Sequence, residues 1–151
     1  MENLIHQEIE LRFPQKRVWS ALTDWKEFGE WFRVKLDSPF VEGKESVGRI
    51  LHPRMEHIEF NLLVETIEPE SYFAYLWHPF AIDPEMDYAM EKPTLVEFHL
   101  AQSAKGTRLS LTETGFNHLP KARREQAYKM HVHGWAQQMR NITEYLQTHA
   151  S

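Results

Sequence analysis

Glu113 and His131 are the two residues whose types and placement suit them to move a proton. Strand parity puts Glu113 on the same face as Leu109 and Leu111, and helix phase puts His131 on an apolar stripe, so both are expected to enter one cavity. Desolvation in an apolar pocket raises a carboxyl pKa unless a cationic partner offsets it, which would fit Glu113 for acid or base work near neutrality. The plainer alternative is that Glu113 is solvated at the strand mouth, or simply hydrogen-bonds His131 or a tyrosine. Other chemistries have less support. The chain holds nine histidines, but His131 and His133 are two apart on a helix, about 200° around its axis, and cannot chelate one ion together. His52 and His57 flank Pro53-Arg54-Met55-Glu56 without the compact spacing of a zinc site, so no metal is expected. With no cysteine and no Gly-x-Ser-x-Gly elbow, nucleophilic acyl transfer lacks its usual parts.

The elements that would position these residues follow from periodicity. Ile5, Gln7, Ile9 and Leu11 share one parity of a first strand with one buried face. Pro14 suits the first turn of a helix running to about Thr23, and Asp24 can cap a second short helix whose Trp25, Phe28, Trp31 and Phe32 repeat at three or four. Pro39, Gly43 and Gly48 punctuate the next stretch, which predicts short strands over Arg33 to Leu36 and Val47 to His52. Two hairpins follow. Phe60, Leu62 and Val64 lead through Glu68-Pro69-Glu70 to Phe73, Tyr75 and Trp77; Val96, Phe98 and Leu100 lead through Lys105-Gly106 to Leu109 and Leu111. Between the hairpins, Phe80 to Lys92 is too long for a tight turn, and a second copy of the chain could pack there in a homodimer.

The last element is a long helix after Leu119-Pro120. Tyr128, His131, Trp135, Gln138, Met139, Ile142, Tyr145 and Leu146 fall within about 120° of arc, so the helix lays an apolar stripe on the sheet. Gly134 interrupts it at a cost of roughly 1 kcal/mol against alanine, which predicts close approach of a bulky partner, Trp31 or a strand aromatic. Phe73, Tyr75 and Trp77 share one strand face opposite Trp135. Together with Phe60, Leu62, Phe98, Leu109, Leu111, Glu113, Tyr128 and His131 they form the candidate lining of a ligand-binding cavity, ordinary core being the alternative for any one of them.

Composition narrows the classes. The 151 residues are 42% hydrophobic and 13% aromatic, which suits one domain spanning residues 1–151. Lys and Arg number 17 against 22 Asp and Glu, with no basic block, so nucleic acid is not expected as a partner. No apolar run approaches the roughly 20 residues of a membrane span, and Met1-Glu2-Asn3 lacks a cationic leader, so a cytoplasmic location is expected. The absence of cysteine fits a reducing compartment.

The runs Val18-Trp19-Ser20-Ala21-Leu22-Thr23-Asp24, Trp31-Phe32, Phe73-Ala74-Tyr75-Leu76-Trp77, Gly106-Thr107-Arg108-Leu109-Ser110-Leu111 and Gly134-Trp135 with Tyr145-Leu146, in this order, resemble the START-like (SRPBCC) superfamily. Within it they look most like the branch homologous to the activator of the heat-shock protein 90 ATPase. The resemblance implies an α+β helix-grip (START-like, Bet v-like) fold, with a curved antiparallel sheet of about seven strands around the C-terminal helix. It also implies a cavity of the kind that often holds lipids, polyketides or hormones. Where several relatives carry histidine near the end of the last strand, this chain has Glu113, with His118 further on. No iron-sulfur motif and no separate N-terminal domain of the ATPase activators is found. The expectation is therefore binding of a small hydrophobic or aromatic molecule between sheet and helix, without a cofactor. One alternative is a cyclase, hydrolase or isomerase of an aromatic or polyketide substrate, using Glu113 and His131 with Tyr75 orienting a carbonyl. The other is a chaperone-accessory protein-interaction module.

Overall fold

Alternating burial along the strands and a stripe on one long helix produce a sheet with a single covered face. The computed structural model describes residues 4–56, 58–79 and 87–149. Strand β1 (Leu4–Leu11) buries Ile5 and Leu11 and turns His6, Glu8 and Glu10 to solvent. Helices α1 (Gln15–Thr23) and α2 (Trp25–Phe32) follow, with Pro14 as the N-cap of α1 rather than its first residue. Asp24 Oδ1 accepts from the Lys26 and Glu27 N–H groups at 2.9 and 3.1 Å, which satisfies two donors that the start of α2 leaves free. Trp31 anchors the pair, its indole N–H donating 2.8 Å to the Ala21 carbonyl.

The remaining strands are β2 (Val34–Leu36), β3 (Glu45–Ile50), β4 (Glu59–Glu68), β5 (Tyr72–Trp77), β6 (Thr94–Ser103) and β7 (Gly106–Thr114). Strand β3 starts two residues before the expected Val47 and ends at Ile50. There Gly48 lets the β2 backbone approach, since a Cβ on it would sit 2.1 Å from the Lys35 carbonyl oxygen. The seven strands form one antiparallel sheet in the order β1-β7-β6-β5-β4-β3-β2. A three-residue 3-10 turn separates this sheet from the last helix: Gly115, at φ 106°, reverses the chain into Phe116–His118, and α3 (Lys121–Thr148) follows. Its 28 residues, about 42 Å at 1.5 Å each, bury Ala127, Trp135, Met139, Ile142 and Leu146 against the sheet. This is the expected α+β helix-grip architecture.

Two expectations meet the described limits or fail. His57 and residues 80–86 of the long connection lie outside the described residues, and with them the His52–His57 pairing and the middle of that loop. Among the described residues no group of three potential metal ligands is found. Gly134, by contrast, is not crowded. A Cβ placed on it would have nothing within 4 Å, so close packing by Trp31 or a strand aromatic is not why glycine stands there.

Candidate functional site

The register sets one row of residues on the covered face: Tyr75 on β5 pairs with Val96 on β6, which pairs with Glu113 on β7, which pairs with Ile5 on β1. Residues directly opposite share a face, so the Glu113 carboxylate is forced inward among apolar neighbours. It is fully buried. Its partners come from three elements. The indole N–H of Trp77, at the end of β5, donates 2.8 Å to Oε2, and the Thr94 hydroxyl at the start of β6 donates 2.6 Å to the same oxygen. From α3, the indole N–H of Trp135 reaches Oε1 at 2.8 Å and His131 Nδ1 lies 2.6 Å from it. His131 and Trp135 are four apart, one turn of helix, which is why both reach the same oxygen.

The magnitudes decide the charge state. Burial alone costs an ionised carboxylate several kcal/mol, while a hydrogen bond to a charged group returns roughly 1.5–3 kcal/mol. Burial pushes the Glu113 carboxyl up, but attraction to the His131 ring and the hydrogen bonds from His131, Thr94 and Trp77 outweigh it and hold the group below the usual carboxylate range. Trp77, Thr94 and Trp135 aim three donors at the two oxygens, and His131 adds a fourth when its Nδ1 carries the proton. Glu113 is thus an ionised, fully engaged anchor, not a free proton donor. The Tyr75 hydroxyl is also completely buried and hydrogen-bonds to nothing; burial and the nearby Glu113 charge keep it protonated.

Beside this cluster lies a cleft of about 100 Å³, lined by Phe32 from α2, Trp77 from β5, and Met130, His131, Gly134, Trp135 and Gln138 from α3. The space exists because residue 134 carries no side chain. Among the described residues, the other inward side chains of the sheet are packed. Phe73, Tyr75, Phe98, Leu109 and Leu111 have no exposed surface, Leu62 is 1% exposed and Phe60 7%. Their rings interlock: Phe98 meets Trp135 edge-on with centroids 5.8 Å apart, and Tyr75 meets Trp77 at 5.2 Å. Of the candidate lining residues, the structure brings Trp77, His131 and Trp135 to the cleft, with Glu113 behind them. Phe60, Leu62, Phe73, Tyr75, Phe98, Leu109 and Leu111 are packed in the core. Tyr128 stands apart, edge-on to Phe116, its hydroxyl donating 3.0 Å to the Leu4 carbonyl. Phe32, Met130, Gly134 and Gln138 were missed. Phe32 and Gly134 were visible as features, but only the crossing of α2 over α3 makes them neighbours. A wider groove between α2 and the end of α3 is lined by Glu30, Arg33, Asn141 and Glu144, too polar to hold an apolar molecule.

Comparison with known proteins settles the family. The model of the activator of Hsp90 ATPase homolog 1-like family matches residues 12–147, from the end of β1 to the last turn of α3. The chain belongs to this family. Among curated proteins, none matches the sequence. Solved structures show the same fold. Protein MLL2253 from Mesorhizobium loti is 23% identical, with a TM-score of 0.75 over 96% of this chain and 97% of that one. Protein NE0264 from Nitrosomonas europaea is 17% identical, with a TM-score of 0.74 over 97% and 96%. DynU16, a protein in the dynemicin biosynthetic locus, is 19% identical with a TM-score of 0.72; it is matched over 98% of this chain, which spans 48% of DynU16. No helix among the described residues of this family member is long and apolar enough to cross a membrane.

Proposed function

We propose that this member of the family binds a small apolar or aromatic molecule in the cleft between the end of β5, the end of α2 and the middle of α3. The observation that carries the reading is the coincidence of open space at Gly134 with a wall of pinned aromatic rings. Trp77 and Trp135 have their indole N–H groups committed to Glu113, so they present only ring surface to a ligand and lose no rotamer freedom on binding. Size limits the ligand. A cavity of roughly 150 Å³ holds one benzene, and drug-sized ligands occupy about 300 Å³ or more. The cleft is smaller than that, so it takes a short branched alkyl group or one edge of a ring, with the remainder of the ligand projecting past Met130, which is half exposed at the rim. That DynU16, of the same fold, is a protein in the dynemicin biosynthetic locus is in keeping with a small-molecule ligand.

The exposed large apolar residues among those described, Leu4, Val41, Leu51, Leu63, Met90 and Met130, come from separate strands, loops and the last helix, which favours this reading over a protein-docking surface. Amide and indole chemical-shift mapping tests it. Titration with toluene, indole and short branched alcohols should move the indole N–H signals of Trp77 and Trp135 and leave that of Trp31, tied to Ala21, in place. Uniform silence of all three signals across the set would end the proposal.

A further inference from the structure

The cleft's polar side chains are nearly all committed, and the one that is not selects the ligand's chemistry. Both indole N–H groups donate to Glu113. Gln138 donates 3.1 Å to the Phe32 carbonyl and accepts 3.0 Å from the Asn141 amide. Phe32, Met130 and Gly134 offer no polar side-chain group beyond a weakly accepting sulfur. His131 remains. Its Nδ1 is held 2.6 Å from the ionised Glu113, and a carboxylate only accepts, so Nδ1 carries the proton. In the neutral ring Nε2 is then a bare lone pair. With Nδ1 turned to the carboxylate, the Nε2 edge faces away from it, and among the described residues no group bonds to Nε2. The other groups packed on the imidazole are the rings of Trp77 and Phe116, so Glu113 is the charge that faces it.

We propose that the ligand is an aromatic or enolic hydroxyl compound whose O–H donates to His131 Nε2, with Glu113 as the positioning residue that fixes the tautomer. This rests on the ligand-binding reading above and adds the ligand's functional group to it. The same geometry supports transfer of that proton: the O–H bond breaks, the oxygen keeps the electron pair, and the proton forms an N–H bond at Nε2. The product is a phenolate or enolate beside an imidazolium whose other nitrogen donates to Glu113. No further reactant is needed, and the proton count of the complex is unchanged. The Glu113 carboxylate, 2.6 Å from Nδ1, then lies directly opposite the positive charge that the transfer creates on the ring.

The pair 4-nitrophenol and 4-nitrotoluene isolates the hydroxyl, because the two differ only by O–H against CH₃, and nitrophenolate has its own visible absorption band. On the wild-type protein, 4-nitrophenol should bind at least tenfold more tightly than 4-nitrotoluene and show the phenolate band below the pH at which it ionises in water. His131→Asn keeps an amide N–H at about the position of Nδ1 for Glu113 and removes Nε2; it should abolish both the preference and the band while leaving thermal stability near wild type. Glu113→Gln, where it folds, should keep ring binding but lose the band. Equal binding of the two probes, or a band that survives in His131→Asn, overturns the hydroxyl assignment and leaves the ring-binding reading intact. Binding of neither probe overturns both.

Discussion

At the scale of single residues, the structure turns on a carboxylate and a glycine. Glu113→Gln replaces two accepting oxygens by one and sets an amide N–H₂ against donors already in place from His131, Trp135, Trp77 and Thr94. Breaking a buried charged network in this way costs roughly 3–5 kcal/mol, and chemical denaturation should show a loss of that size. The pH dependence carries the opposite sign to that of a buried acid. Because the folded carboxyl titrates below its ordinary value near 4.5, Glu113 contributes stability that is fully present above that value and is lost as pH falls through the folded pKa. The wild type should lose stability in acid below about pH 4.5, and the glutamine variant should show a flatter acid limb. Gly134 gives the second prediction. Its Cβ position is open, so Gly134→Ala should gain close to 1 kcal/mol of helix stability, or about 2–4 °C in melting temperature for a chain of this size. The same methyl enters the cleft, and ring binding should weaken, as ligand titration against the variant would show. Strand parity made the inward face of Glu113 legible in the sequence, and helix phase did the same for His131. What parity could not supply is that two indoles and a threonine from other strands and the helix converge on the same carboxylate, because that depends on where three separate elements end.

At the scale of elements, each boundary near the site has a local cause, and these were mostly readable. Asp24 terminates α1 and caps α2, a role its position between two apolar runs already indicated. Asp24→Ala should cost about 1 kcal/mol, since two N–H groups of α2 lose their acceptor. Fraying of α2 would loosen Phe32, its last residue, and hence one wall of the cleft, so hydrogen exchange should rise across Trp25–Phe32 in that variant while the β6–β7 hairpin stays protected. The far end of α3 is tied back to the same helical pair: Arg17 pairs with Glu27 at 2.8 Å, the Tyr145 hydroxyl donates 2.6 Å to Glu27, and Arg17 Nη2 donates 2.6 Å to the His149 carbonyl. This three-way tie joins residues more than a hundred positions apart. It was not legible, because each partner read alone is an ordinary surface charge or a stripe tyrosine.

At the scale of the whole molecule, the described residues of one curved sheet and one long helix pack more closely than the architecture suggests. The sequence pattern of Phe73, Tyr75 and Trp77 opposite Trp135 fits either a lined cavity or a packed core, since both need apolar residues at the same inward positions. Volume separates them, and volume depends on how rings interdigitate rather than on which face they take. Among the described residues, the rings of Phe28, Phe32, Phe73, Tyr75, Phe98 and Trp135 pack against one another by stacked, tilted and edge-on contacts, and a cleft opens at the helix edge at Gly134. A consequence follows for the stability of the entire fold. The cleft joins β5, α2 and α3, which are brought together only in the folded chain, so a ligand seated there binds the native state and not the unfolded one. Mass action then adds about 2.7 kcal/mol at a ligand concentration one hundred times Kd, which for a domain of this size raises the melting temperature by roughly 5–10 °C. The shift should grow with the logarithm of ligand concentration, and it should vanish when Gly134→Leu fills the cleft. A rise of equal size in the leucine variant would place binding elsewhere on the molecule.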